Sequence, residues 1–180
     1  HELTEKVDEG KILFEKTFYI RKKSSLLEYY QNANQIEKVL LKRLVNMVNK
    51  RKQPRLRKIN NRNSIYMPRL DTKTHGFINW EWKGIDIFNF IRAFDQPYSG
   101  ASTLYKNKLI HIQKVDLIDK HKIFHPFQSG IILRINTKSV YLAINNGILK
   151  ISKITDKKGN IINFKNIKLG ERFHTPIKFL

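Results

Sequence analysis

Asp8-Glu9-Gly10 is the stretch of this chain with the residue types to do proton-transfer chemistry. A carboxylate beside a histidine orients the ring and tunes its basicity. Gly10 lets the backbone turn tightly next to it. Taken alone, an Asp-x-Gly step is also a common surface turn. A second group is electrostatic. Lys50, Arg51, Lys52, Arg55, Arg57 and Lys58 place six cations within nine residues. Such a run suits phosphate, giving affinity without sequence information, although a solvated linker has the same composition. Lys106, Lys108 and the Lys157-Lys158 turn extend that patch if the fold brings them to its face. Trp80 and Trp82 alternate, and so face one side of an extended segment; they read as a hydrophobic lid in preference to base-stacking platforms. His75, His111, His121, His125 and His174 are scattered and read as surface residues, and no metal is expected from their spacing.

The elements that must hold these residues follow from periodicity. Ile12 to Phe14 and Phe18 to Ile20 read as a strand over residues 11–20. Ser25 with Glu28 three residues later forms a capping box, and a helix follows to about Asn49. Leu26, Tyr30, Ala33, Val39 or Leu40, Leu44, Met47 and Val48 recur at helical steps and predict one buried stripe. Pro54 forbids the helix from continuing. A second helix is expected from about Ile85 to Phe94, with Phe88, Ile91 and Phe94 inward. Beyond Gly100 the period becomes two: Val140, Leu142 and Ile144, then Leu149 and Ile151, alternate with other residues. Turn signals at Lys106-Asn107, Asn136-Thr137, Asn145-Asn146-Gly147 and residues 156–160 separate short strands, which points to a small antiparallel barrel.

This order resembles folate-dependent formyltransferases of the methionyl-tRNA formyltransferase type over nearly the whole chain. The likeness is carried by HELTEKVDEGKIL at residues 1–13, Tyr66-x-Pro68, Asn79-Trp80, Ile91-Arg92-Ala93-Phe94 and Pro97-x-x-Gly100-Ala101. It implies an α/β fragment at residues 1–49, the end of a Rossmann-like catalytic domain. A basic linker over 50–76 and a mainly β, OB-like barrel domain with a leading helix over 77–180 would follow. It implies Asp8 as the catalytic aspartate, with His1 and Gly10 supporting its loop. It implies 10-formyltetrahydrofolate as the one-carbon donor, bound by a missing N-terminal part, and no metal. No Asn-x-His precedes Asp8, so the chain alone is expected to be inactive. The start at His1 reads as a truncation.

The family's acceptors are initiator methionyl-tRNA and nucleotide-linked amino sugars. The basic linker favours the tRNA. The stretches Gln96-Pro97-Tyr98-x-Gly100-Ala101 and Gly170 to Pro176 resemble the sugar enzymes. A third reading is a non-catalytic OB-like RNA-binding module. Composition bounds all three. The net charge of +20 predicts attraction to polyanions, or reflects a Lys-, Ile- and Asn-rich composition. The absence of cysteine excludes disulfides and thiol chemistry. No apolar run approaches the roughly 20 residues of a membrane span, so a cytoplasmic protein is expected.

Overall fold

The computed structural model describes residues 1–5, 9–21, 24–60 and 65–180, and the chain divides into two compact units, residues 1–69 and 70–180. In the first, Ser25 caps helix α1 (Leu26–Asn49): its hydroxyl accepts the Glu28 N–H at 3.1 Å while the Glu28 carboxylate accepts the Ser25 N–H at 3.2 Å. At the other end Arg51 adopts φ +50°. Its N–H reaches the Val48 carbonyl at 2.9 Å, and the Lys52 N–H reaches that of Met47 at 3.0 Å. This paired return closes the helix without a glycine.

Two expectations fail in this unit. α1 contains no buried residue; Val39 is 51% and Val48 61% exposed. Helical spacing creates an apolar face, but burial needs a second layer. Contacts such as Phe18 with Tyr29, ring centroids 5.6 Å apart, and Arg43 over Phe14 at 4.4 Å cover only part of it. The strand expected over residues 11–20 is a single bridge, Ile12 with Arg57, whose amides donate to each other's carbonyls at 2.8 and 3.0 Å. β-prone residues form a strand only where a neighbour completes the ladder.

The second unit opens with α2 (Thr72–His75), then α3 (Gly84–Ala93), which starts and stops one residue before the expected helix. Six strands follow: β1 (Ala101–Tyr105), β2 (Lys108–Ile118), β3 (Ile132–Ile135), β4 (Val140–Ile144), β5 (Gly147–Asp156) and β6 (Phe173–His174). They form one antiparallel sheet in the order β3-β4-β5-β2-β1-β6. Its two edges meet. Ile131 bridges Arg172, the Ile132 N–H donates to the Glu171 carbonyl at 2.8 Å, and the Phe173 N–H to that of Gly130 at 3.0 Å. A mainly antiparallel β domain led by a helix is therefore the observed architecture.

The expected turns lie between the strands. Lys106 and Asn107 both take positive φ, +49° and +61°, the backbone of a two-residue hairpin that follows the natural strand twist. Asn145-Asn146 joins β4 to β5 with Ile144 opposite Gly147. Inside, Ile112, Leu142, Ile144, Leu149, Ile151, Ile154 and Phe173 are fully buried. Ile87, Ile91 and Phe94 of the α3 region belong to the same core, as do Ile78 and Trp80. Trp82 lies at its margin, 38% exposed and edge-on to Phe90.

Candidate nucleic-acid interface

Register decides where the barrel's charges gather. Tyr105 pairs with Lys108 across the first hairpin, and Ile110 pairs with Asp156 on β5. The Lys106-Asn107 turn and the Lys157-Lys158 turn therefore leave the sheet at the same end. Lys168 joins them, because its N–H donates to the Tyr105 hydroxyl at 3.0 Å. Lys106, Lys108, Lys157, Lys158 and Lys168 are all exposed.

Both carboxylates at this end are occupied. Asp156 Oδ1 accepts the N–H groups of Lys158 and Asn160 at 2.8 and 2.9 Å, and Oδ2 accepts Asn160 Nδ2 at 3.0 Å. These bonds, the Asn160 side chain first, hold its carboxyl below the usual range. Glu171 accepts from the Tyr105 hydroxyl and pairs with Lys106 Nζ at 2.9 Å. The Tyr105 bond, then Lys106, lowers the Glu171 pKa. Burial, then Glu171, raises that of Tyr105. Residues 70–180 carry 18 Lys and Arg against 8 Asp and Glu, a net +10. With its acids engaged locally, this end presents an ammonium surface suited to phosphates.

A polar seam within the core fixes the wall nearby. The buried Trp80 Nε1–H donates to Thr103 Oγ1 at 2.9 Å, and Thr103 Oγ1 donates to the His174 carbonyl at 3.0 Å. Ser129 Oγ–H donates to the Trp80 carbonyl at 2.5 Å. Trp80 is thus a core residue whose one polar atom is satisfied.

Of the catalytic candidates, Asp8 lies outside the described residues. His1 Nδ1 lies 2.8 Å from the Glu2 carbonyl oxygen, and the Glu2 N–H donates to Lys11 at 2.9 Å. That fold-back seats His1 beside Gly10, where a Cβ would collide with the Glu2 carbonyl. In the basic run, Lys50, Arg51, Lys52, Arg55 and Lys58 are exposed. Arg57 differs, since its guanidinium pairs with Glu15 at 2.5 Å. Lys106, Lys108, Lys157 and Lys158 lie at one end of the barrel.

The histidines correct one expectation. His111 is half-buried on β2, with Nδ1 3.1 Å from the Oγ of buried Ser102. Burial pushes its pKa down, against a weaker attraction from Asp156. Strand alternation puts His111 on the face opposite Ile110 and Ile112, and its half-burial comes from its register partners Ser102 and Thr155, which sequence alone does not reveal. Sequence reading also passed over Phe127 and Arg172. The Arg172 guanidinium donates to the Phe127 carbonyl and lies 4.7 Å from its ring centroid. The pattern His125-Pro126-x-Gln128, a capping signature, was the available clue. Among the described residues no group of three His, Cys, Asp or Glu could hold a metal, and no helix is long and apolar enough to cross a membrane.

Known proteins resemble this chain in sequence or in fold. The methionyl-tRNA formyltransferase of Caldicellulosiruptor saccharolyticus is 26% identical over 178 residues, covering 94% of this chain and 54% of that protein. The bifunctional polymyxin resistance protein ArnA of Wigglesworthia glossinidia brevipalpis is 28% identical over 171 residues, covering 93% of this chain and 24% of ArnA. The crystal structure of HypX from Aquifex aeolicus in complex with tetrahydrofolic acid superposes with a TM-score of 0.66 at 17% identity. That overlap spans 91% of this chain and 28% of HypX, and at this identity it shows the fold alone. The chain thus spans about half the length of the first relative and about a quarter of the other two proteins. Residues 71–172, the helix-led β unit described above, match the family described as "Formyl transferase, C-terminal domain". That match covers more than half of the chain, which belongs to the formyl transferase C-terminal domain family.

Proposed function

We propose that this chain is part of an enzyme that transfers a formyl group from 10-formyltetrahydrofolate to a primary amine, with initiator methionyl-tRNA as the acceptor. The family match supports the reaction class, and a methionyl-tRNA formyltransferase aligned over 94% of the chain supports the acceptor. The observation that carries the acceptor reading is the lysine end of the barrel, where Lys108, Lys157, Lys158 and Lys168 lie at the same end as two internally bonded carboxylates, Asp156 and Glu171. A small sugar nucleotide needs no such extended cationic surface, whereas a folded RNA presents many phosphates to it. Lys50, Arg51, Lys52, Arg55 and Lys58 would supply further phosphate contacts. Arg57, held by Glu15, would supply less.

The cofactor fits poorly on the described residues of the first unit. The groove on α1, about 310 Å³, is lined by four residues of a single helix, Leu41, Lys42, Val45 and Asn46, and does not enclose a ligand as a pterin site would. We therefore place the folate on protein outside residues 1–180. Asp8 is proposed as the catalytic carboxylate, with His1 and Gly10 supporting its loop as the family resemblance implies. A nucleotide-linked amino sugar is the second acceptor reading. It is supported by the resemblance of residues 96–101 and 170–176 to the sugar enzymes.

The test is a formyl-transfer assay of the full-length protein with 10-formyltetrahydrofolate and each acceptor separately. Formylated methionyl-tRNA is the expected product. Product from the amino sugar alone would move the assignment to the second reading, and product from neither would overturn both. Residues 1–180 alone should show no turnover.

A further inference from the structure

A half-open cavity of about 480 Å³ lies in the 70–180 unit, between the Trp80 segment, the turn at Pro126–Gln128 and the C-terminal residues. That volume is within the range of small-ligand sites. Its apolar surfaces are rings. Trp80 and Phe173 are buried, while Phe127 is 72% exposed. This exposed ring is nevertheless held in place. His125 Nδ1 accepts the Phe127 N–H at 3.2 Å, Gln128 Oε1 accepts the His125 N–H at 3.0 Å, and Arg172 donates to the Phe127 carbonyl. The same guanidinium stands 4.7 Å from the ring centroid. Glu81 lines the cavity as well. The polar atoms of Trp80 and Thr103 are engaged with one another, so they are not what the cavity offers a ligand.

We propose that this cavity seats one unpaired nucleobase of an RNA partner. The inference rests on the RNA acceptor reading above. A base presents a planar π face for Phe127 and a guanidinium plane, the combination by which unstacked bases are commonly held. Adenine, cytosine and guanine carry an exocyclic amino group, a donor for the Glu81 carboxylate. The net +10 of the unit draws the attached phosphates to the same body. An aliphatic peptide side chain would use the rings but would leave the Glu81 carboxylate without a role.

The test uses residues 1–180 with two hairpin RNAs, identical except that one carries a single unpaired adenosine in its stem. Affinities are measured by fluorescence anisotropy at one salt concentration. Phe127→Ala should weaken the bulged RNA roughly tenfold, the scale of one lost base stack, and leave the fully paired RNA unchanged. Phe127→Tyr should restore the difference, and Glu81→Gln should lower it in part. Equal effects of Phe127→Ala on both RNAs, or no effect on either, would overturn the proposal. Melting curves of each variant check that the fold is retained. RNA binding that is strong but insensitive to Phe127 removes the base seat and leaves the acceptor reading intact. Absence of binding to both RNAs at low salt removes the acceptor reading and the seat together.

Discussion

Trp80 Nε1 and Thr103 Oγ1 lie 2.9 Å apart inside the barrel wall, joining the segment before α3 to strand β1. Trp80 is 7% and Thr103 0% exposed, so water does not compete for the bond. Because Thr103 in turn bonds the His174 carbonyl, one hydroxyl ties together chain segments 71 residues apart.

Thr103→Val should therefore destabilise the 70–180 unit by about 1–3 kcal/mol. It preserves shape but strands a buried indole N–H and a carbonyl. Trp80→Phe, Thr103→Val should show strong coupling relative to the single variants. Urea unfolding followed by tryptophan fluorescence, or by far-UV dichroism where Trp80 is replaced, measures both. Additive effects would show that the bond contributes nothing.

Gly100→Ala should cost more than Gly159→Ala. Gly100 takes φ +106°, and an added Cβ would sit 2.7 Å from both Gln113 Cγ and the Ile112 carbonyl oxygen. Gly159 has φ +88° but nothing within 4 Å of that position. Backbone strain alone costs about 1–3 kcal/mol, and the overlap at Gly100 adds to it. Equal shifts in denaturation midpoint would contradict the packing account.

His111 predicts a pH dependence. Its folded pKa is depressed by burial, so the unfolded chain binds the proton more readily. The contribution to stability is complete above the ordinary histidine pKa, about 6.5, and is lost as pH falls from there through the folded value. The slope from one proton does not exceed about 1.4 kcal/mol per pH unit. Ser102 faces the ring from β1 and Thr155 is its register partner on β5; the Asp156 carboxylate opposes the shift, though less than burial favours it. His111→Gln should flatten the stability profile between pH 7.5 and pH 5; an unchanged profile would assign the dependence elsewhere.

Replacing Lys108, Lys157 and Lys158 together by alanine should weaken RNA binding without destabilising the barrel, since all three are exposed. If each meets one phosphate, the slope of log affinity against log salt should become shallower by about 2–3. An unaltered slope would place the phosphate contacts on another surface.

Much of the β unit was legible because its determinants are local. Lys106-Asn107 and Asn145-Asn146-Gly147 can turn a chain by backbone preference alone, and Val140, Leu142 and Ile144 declare a strand by alternation. The capping box at Ser25 and Glu28 was equally readable, and it starts α1 where expected. The stripe on α1 and the strand at residues 11–20 were misread for one reason. Periodicity specifies which face is apolar, while burial and pairing depend on a partner layer.

What the sequence by itself determined is the set of local geometries: where α1 and α3 begin, where the hairpins turn, and which residues alternate inward. Only the tertiary structure decided that Arg57 pairs with Glu15, that His111 is half-buried against Ser102, and that lysines 50 residues apart in sequence share one end of a barrel. The physical reason is that strand register and ion pairing are relations between distant segments. They are fixed when β2 finds β1 and β5, and no local propensity encodes them.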